Sequence, residues 1–351
     1  MAVDMNKLMA FVGKAVVDIG GTMHAALVMV GEKRGLYKAL AKGACTSEEL
    51  ATRTASNERY VREWLSSQAA GGYVEYDPKT QQYSMNEEQI FALTDEKGAI
   101  YLPGAFQVAL AAARSEERVS EAFRTGAGIG WHEHDAGLFC GTERFFRPNY
   151  AANLIIAWIP ALEGVEARLK QGARVADVGC GHGSSTILMA EAFPKSTFVG
   201  YDYHDASIAT ARQRATEAGV ADRVKFDTAK AKDYPGRDFD FVTFFDCLHD
   251  MGDPAGAAVH VKQSLKADGT WMIVEPYAGD RVEQNLNPVG RLYYSASTLL
   301  CTPASKSQEV GLALGAQAGE ARMKNVVTSG GFSRFRRAAE TPFNLVYEAR
   351  P

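Results

Sequence analysis

The stretch Val175-Ala176-Asp177-Val178-Gly179-Cys180-Gly181-His182-Gly183-Ser184-Ser185 reads as an apolar strand, a glycine-rich turn and the start of a helix predicted over 184–193. Glycines let a backbone approach a ligand closely and adopt positive φ without a Cβ penalty. A helix N-terminus adds free N–H groups and partial positive charge. Such a turn can also do no more than join a strand to a helix, so the next strand matters. Thr197-Phe198-Val199-Gly200-Tyr201-Asp202 ends in an acid, about twenty residues beyond the glycines, where a carboxylate can accept from two ribose hydroxyls. Asp177 helps choose the ligand: an acid beside the loop suits a sulfonium and an α-amino group and repels a pyrophosphate.

Outward from this loop, short apolar strands alternate with helical segments, the rhythm of a parallel sheet with crossover helices. Strands are expected over 174–178, 197–202, 224–228, 239–245 and 270–275, followed by a helix over 320–329 and strands over 333–339 and 344–350. The break at Glu340-Thr341-Pro342 is short, so the last two strands should pair antiparallel. Upstream, the spacing is helical. Thr46-Ser47-Glu48-Glu49 and Asn57 offer helix starts, and two short strands flank an Asp77-Pro78 turn. Helix, helix, hairpin outlines a winged helix-turn-helix. The expected fold class is therefore α/β, a Rossmann-like seven-stranded sheet with a mainly helical winged-helix N-terminal domain. The domain limits read as 1–95 for the winged helix, 96–171 for a helical linker that roofs a substrate cleft, and 172–351 for the donor-binding domain.

Asp177 to Gly183 followed by Asp202 resembles the donor-binding signature of class I S-adenosylmethionine-dependent methyltransferases. The resemblance implies that Gly179, Cys180 and Gly181 contact the methionine portion, with Asp202 and Tyr203 at the ribose. An Asp often follows the third strand of that family to receive the adenine amino group. Lys230 stands there instead, beside Ala231, which leaves backbone contacts for the adenine. A second run, Phe244-Phe245-Asp246-Cys247-Leu248-His249-Asp250-Met251-Gly252-Asp253-Pro254, is similar to the LHDxxD segment of small-molecule O-methyltransferases that carry an N-terminal winged-helix dimerisation domain, and most similar to a bacterial group with the run FDCLHDMGDP. In such enzymes the matching His is the general base. The resemblance makes His249 and Glu275 the catalytic residues, with Glu320 a looser match to a second acid, and sets Asp246 and Tyr150 beside the donor. Independently, an imidazole near its ordinary pKa can take a hydroxyl proton at neutral pH. A helix-capping or core role is the alternative for His249, because relatives that methylate nitrogen or carbon share the segment.

Trp131-His132-Glu133-His134-Asp135 invites a metal reading, but no third ligand is evident in the sequence, so Trp131 and His134 are read as substrate-pocket residues and no metal is expected. The five cysteines, Cys45, Cys140, Cys180, Cys247 and Cys301, are odd in number and form no CxxC pair, which argues against zinc sites and a disulfide framework. Lys14, Asp18 and His24 interrupt the apolar stretch at 11–30, arguing against a membrane span, and the start lacks a secretory pattern; a cytoplasmic protein is expected. Residues 1–100 hold 11 Lys plus Arg against 13 Asp plus Glu, a net of −2, so the winged helix reads as a homodimerisation module and not as a DNA reader. The functional expectation is methyl transfer from S-adenosylmethionine, leaving S-adenosylhomocysteine, to a small, partly apolar acceptor at oxygen. Proximity-driven N- or C-methylation, a transcriptional regulator, and a donor-binding protein without catalysis are the rival readings.

Overall fold

The computed structural model describes residues 3–351. Among the described residues nine strands form: β1 (Glu75–Asp77), β2 (Gln82–Ser84), β3 (Arg174–Val178), β4 (Thr197–Asp202), β5 (Val224–Thr228), β6 (Phe239–Phe245), β7 (Leu265–Pro276), β8 (Arg334–Glu340) and β9 (Asn344–Arg350). The chain divides into two compact units, one of residues up to Leu110 with Cys140–Pro148, the other of Ala111–Phe139 with Asn149–Pro351.

The second unit holds one seven-stranded sheet in the order β5-β4-β3-β6-β7-β9-β8. β3 to β7 are parallel, while β9 runs antiparallel to both β7 and β8. The alternation of apolar runs and helical segments dictates this layering, because strands buried on both faces are mostly apolar. β6 is buried at every position, and β7 from Gly269 onward. β7 begins at Leu265, five residues before the strand start read from the sequence. There Phe239 pairs with Leu265 and the register then shifts, so a bulge absorbs the Lys266-Ala267-Asp268-Gly269 stretch. Trp271, Phe244, Phe239, Tyr347 and Val261 build the core under the sheet. Chain order reverses between β3 and β6, and in open sheets of this kind ligands bind there, beyond the carboxyl ends of the strands.

The first unit packs Val28, Tyr37, Leu40, Leu50, Trp64 and Leu65 into its own core. Its helix starts follow the sequence. Thr46 caps Ser47–Arg53 through a full capping box with Glu49, and Asn57 caps Glu58–Ala70. β1 and β2 pair antiparallel as the wing. In the helix Glu58–Ala70, Arg62 pairs with Glu58 and Arg59 with Glu63, so the basic side chains on that helix are answered by acids one turn away. The long helix Met5–Lys33 buries Ala25, Val28, Met29 and Gly31 and exposes Met9, Val12, Val16, Ile19 and Met23. By length and composition it is apolar enough to cross a membrane, so the interrupting charges do not exclude a span as the sequence reading has it.

Candidate active site

The glycine turn closes on β4. The N–H groups of Gly179 and Cys180 both donate to the carbonyl of Tyr201, at 2.7 and 3.0 Å, and Gly181 N–H donates to Asp202 Oδ2 at 2.9 Å. Gly179 has φ +76°, and a Cβ there would meet Cys247 Sγ at 2.7 Å. Gly181 also has positive φ, yet its missing Cβ faces open space, which leaves room for a ligand. Asp202 Oδ1 accepts from His204 N–H at 2.9 Å, and burial pushes its carboxyl up. Each Asp202 oxygen has lone pairs left for ribose hydroxyls.

Asp177 is directed inward. Its carboxylate accepts from Ser185 Oγ and Thr186 Oγ1, both at 2.6 Å, and from Thr243 Oγ1 at 3.0 Å, tying β3 to the following helix and to β6. Burial raises its pKa, and the three hydroxyls oppose that rise. Its geometry makes it the brace of the loop. After β5, Ala229 N–H donates to the Asp202 carbonyl at 3.0 Å, bringing the Lys230-Ala231 turn beside the loop. The Lys230 side chain is exposed, Ala231 packs on the sheet core, and Tyr203 is 46% exposed.

At the end of β6, Asp246 sits at φ +48°, a left-handed conformation that costs a non-glycine residue energy. Tyr150 Oη donates to its Oδ2 at 2.7 Å and Asn344 Nδ2 to its Oδ1 at 2.8 Å. Burial, with the Glu275 charge added, pushes the Asp246 carboxyl up to about 7. Three residues on, His249 is 3% exposed, its Nδ1 lying 2.5 Å from Glu275 Oε2 and its Nε2 lying 3.1 Å from Asp250 Oδ1. Glu275 is fixed in turn, because its Oε1 accepts from Leu248 N–H at 3.0 Å. Burial alone would lower the imidazole, but the carboxylates of Glu275 and Asp250 outweigh it and hold His249 well above its usual range.

Trp131 Nε1 donates to Asp250 Oδ2 at 3.1 Å, and the Trp131 ring lies near Phe139, which stacks on His204. His134 is half-buried with Nδ1 2.7 Å from Ser115 Oγ, and burial lowers its pKa. Glu320, the looser sequence match to a second acid, is engaged with Arg337 on β8. Three site residues escaped the sequence reading as such. Asp250 lies in the LHD run but reads there as part of a motif; Asn344 opens β9 and Cys301 ends the segment Ser297–Cys301, neither with a local pattern to mark it.

Taken together, Asp177, Asp202, Asp246, Asp250 and Glu275 are five acids at the carboxyl ends of the strands. Among the described ion pairs their one cationic partner is His249. Such a set of acids, apart from the inward-facing Asp177, is suited to a ligand that brings positive charge, as a sulfonium with an α-ammonium does.

Residues 169–324 match the model of a methyltransferase domain family, and residues 22–95 match an Rv2258c-like winged HTH domain. A curated relative, the 27-O-demethylrifamycin SV methyltransferase of Amycolatopsis mediterranei (strain S699), is 38% identical over 87 residues, 24% of this chain and 32% of that protein. The chain thus spans less than two thirds of that relative's length. Among solved structures, a putative O-methyltransferase from Nostoc punctiforme PCC 73102 aligns with a TM-score of 0.76 and 17% identity over 97% of this chain and 98% of that one. Human N-acetylserotonin methyltransferase, solved in complex with its methyl donor, aligns with a TM-score of 0.69 and 14% identity over 99% of this chain and 98% of the other. At such identities the likeness is one of fold. The chain thus carries a segment similar to a methyltransferase domain at residues 169–324 together with one similar to a winged helix-turn-helix domain at residues 22–95.

Proposed function

We propose that the chain transfers the methyl group of S-adenosylmethionine to a hydroxyl of a small, partly apolar acceptor, with His249 as the general base oriented by Glu275. The observation that carries the reading is the Glu275–His249 pair, buried at the end of the parallel strands on the side where the glycine turn and Asp202 open. The donor would sit with its ribose on Asp202 and its ammonium toward Asp246, which Tyr150 and Asn344 hold in place. The aromatic rings of Trp131 and Phe139, beside Asp250, suit an acceptor with a flat apolar part.

In the transfer, the acceptor oxygen forms a bond to the methyl carbon as the carbon–sulfur bond breaks, and the sulfonium becomes the neutral thioether of S-adenosylhomocysteine. The hydroxyl proton goes to His249 Nε2, the nitrogen that faces Asp250 in the free protein, while Glu275 keeps Nδ1 and stabilises the imidazolium. Because the two carboxylates favour the protonated imidazole, catalysis draws on the deprotonated fraction and kcat/KM should rise with pH. Positioning of the two substrates supplies the larger part of the rate.

The assembly belongs to the same reading. A second copy covering the apolar face of Met5–Lys33 would make a homodimer, the commonest symmetric solution. The cytoplasm is the compartment this assignment fits. Release of S-adenosylhomocysteine measured across phenols, amines, indoles and carboxylic acids tests the acceptor assignment. Turnover confined to amines or carbon nucleophiles would overturn methylation at oxygen.

A further inference from the structure

The Ser297–Cys301 segment is a turn of π-helix, and it delivers the buried Cys301 thiol to the pair formed by His249 and Asp250. His249 Nδ1/Nε2, an Asp250 oxygen and Cys301 Sγ lie within 4.8 Å of one another, all three residues buried. The two oxygens of Asp250 differ. Oδ2 accepts from the Trp131 indole, whereas Oδ1 is buried and faces His249 Nε2 at 3.1 Å. The positive charge that Oδ1 meets in the free protein is the imidazolium, and a metal ion bound between the two would take its place.

The spacing suits one metal in particular. Nitrogen and oxygen ligands of tetrahedral zinc, each at about 2.0–2.1 Å, stand roughly 3.3 Å apart, close to the gap between Nε2 and Oδ1. Imidazole, thiolate and carboxylate together favour Zn2+ over Mg2+ or Ca2+, which prefer oxygen alone. The other ring nitrogen is already bonded to Glu275, the carboxylate–histidine arrangement that orients metal-binding imidazoles.

We propose that His249 Nε2, Asp250 Oδ1 and Cys301 Sγ form an inhibitory Zn2+ site that takes the base out of action. The inference rests on the general-base reading of His249 only for its consequence: the metal occupies the lone pair that would accept the acceptor's proton. Three protein ligands leave a fourth position for water. On binding, the Cys301 thiol proton and the proton carried on His249 Nε2 both leave to solvent, freeing the thiolate and the ring lone pair, with no change of oxidation state.

The test uses the full-length protein with the exposed Cys140 replaced (Cys140→Ser) to remove a surface thiol. Co2+ titration should give a thiolate-to-cobalt charge-transfer band at one equivalent, displaced by Zn2+ and abolished in Cys301→Ser. With an identified acceptor, Zn2+ should inhibit methyl transfer, a chelator should relieve the inhibition, and Cys301→Ser, compared with its own zinc-free turnover, should need at least about tenfold more Zn2+ for the same fractional inhibition. If Cys301→Ser melts below the assay temperature, Cys301→Ala replaces it. Equal Co2+ spectra in the presence and absence of the thiol would overturn the site. A band at one equivalent with undiminished turnover on saturation by Zn2+ would keep the metal site and overturn the inhibitory role. An absence of transferase activity toward every acceptor would overturn the proposed function and leave the spectroscopic result to decide the site.

Discussion

The two units of the chain meet their unsatisfied groups in opposite ways. In the first, buried charge is answered by charge: Arg144 pairs with Glu32 and with Glu96, and also donates to Gln107 at 2.7 Å. What remains unanswered there is apolar, the face of Met5–Lys33 bearing Val12, Val16 and Ile19. In the second, Glu348 is likewise answered by Arg336 and Arg350, but the carboxylates at the carboxyl ends of the strands are bonded mainly to hydroxyls, amides and backbone N–H groups. The one surface calls for another apolar surface. The other suits a cation, as the proposed methyl donor is. Function in the second unit is thus written in polar burial, and in the first unit in polar exposure that is missing.

The polar side of this contrast breaks most visibly at the base. His249→Ala should lower turnover by about 10²–10⁴-fold while donor affinity stays nearly constant, since the side chain acts on the acceptor. It should lose the rise with pH as well. Calorimetry of donor binding beside steady-state kinetics measures both, and a variant with near-normal turnover would make proximity-driven methylation of a neutral nitrogen the better mechanism.

Next in size is the ribose acid. Asp202→Ala removes two charge-assisted bonds to the ribose, about 1.5–3 kcal/mol or roughly 10–150-fold in donor affinity. It also frees Gly181 N–H and His204 N–H, which Asp202 holds at 2.9 Å each, so the loss should fall toward the upper end. Unchanged affinity by calorimetry would sink the donor assignment. Asp202→Asn keeps the size but not the charge and should lie between.

Asp246 gives a smaller and pH-dependent effect. Its carboxyl titrates near 7 in the free protein, raised by burial first and by Glu275 second. Below that pH it is protonated, and an ammonium docking on it must expel the proton. Donor affinity should therefore fall by up to about tenfold per pH unit as pH drops below 7, and Asp246→Asn should flatten that dependence. The stability sign follows from the same shift. With the folded pKa above the unfolded value, the contribution is full below about 4 and is lost as pH rises toward 7, a swing of roughly 4 kcal/mol as an order of magnitude. The donor-free protein should melt lower at pH 8 than at pH 6, and Asp246→Asn should narrow the difference in differential scanning calorimetry.

How legible all this was in the sequence follows the range of the interactions. The strands Arg174–Val178, Thr197–Asp202, Val224–Thr228, Phe239–Phe245 and Asn344–Arg350 are written in local apolar runs, and the sequence reading places them residue for residue. Thr46 and Asn57 announce their helices because capping is a local contact. The N-terminal part of β7 is not written locally, since a bulge opposite Phe239 holds it. The Glu275–His249 pair was legible through a motif. Asn344 at Asp246 and Cys301 near His249 are brought there by chain that is 98 and 52 residues distant, and nothing in their neighbourhoods records it. Asp177 shows the limit of charge reasoning. Its place before the glycines is plain, but only the hydroxyls of Ser185, Thr186 and Thr243 reveal that it braces the loop from inside.

The apolar side of the contrast breaks with the smallest change in any measured quantity, a factor of two in mass. Val12, Val16 and Ile19 are exposed by 40–62% on a helix of 29 residues, and leaving such a stripe in water forfeits about 25 cal/mol for each square ångström that a partner could cover. Val16→Asp places a charge in the middle of that stripe at a position where the folded monomer buries little, so the monomer's own core should be undisturbed. Multi-angle light scattering at micromolar concentration should report a dimer for the natural chain and a monomer for the variant, with the two melting curves converging on dilution. A natural chain that is monomeric without lipid and moves onto vesicles would assign the face to a membrane surface instead. The helix has the length and composition for that, but Lys14 and Asp18, joined one turn apart at 2.7 Å, break the stripe with a polar pair that a second helix tolerates at its rim and that a bilayer interior takes only at a cost.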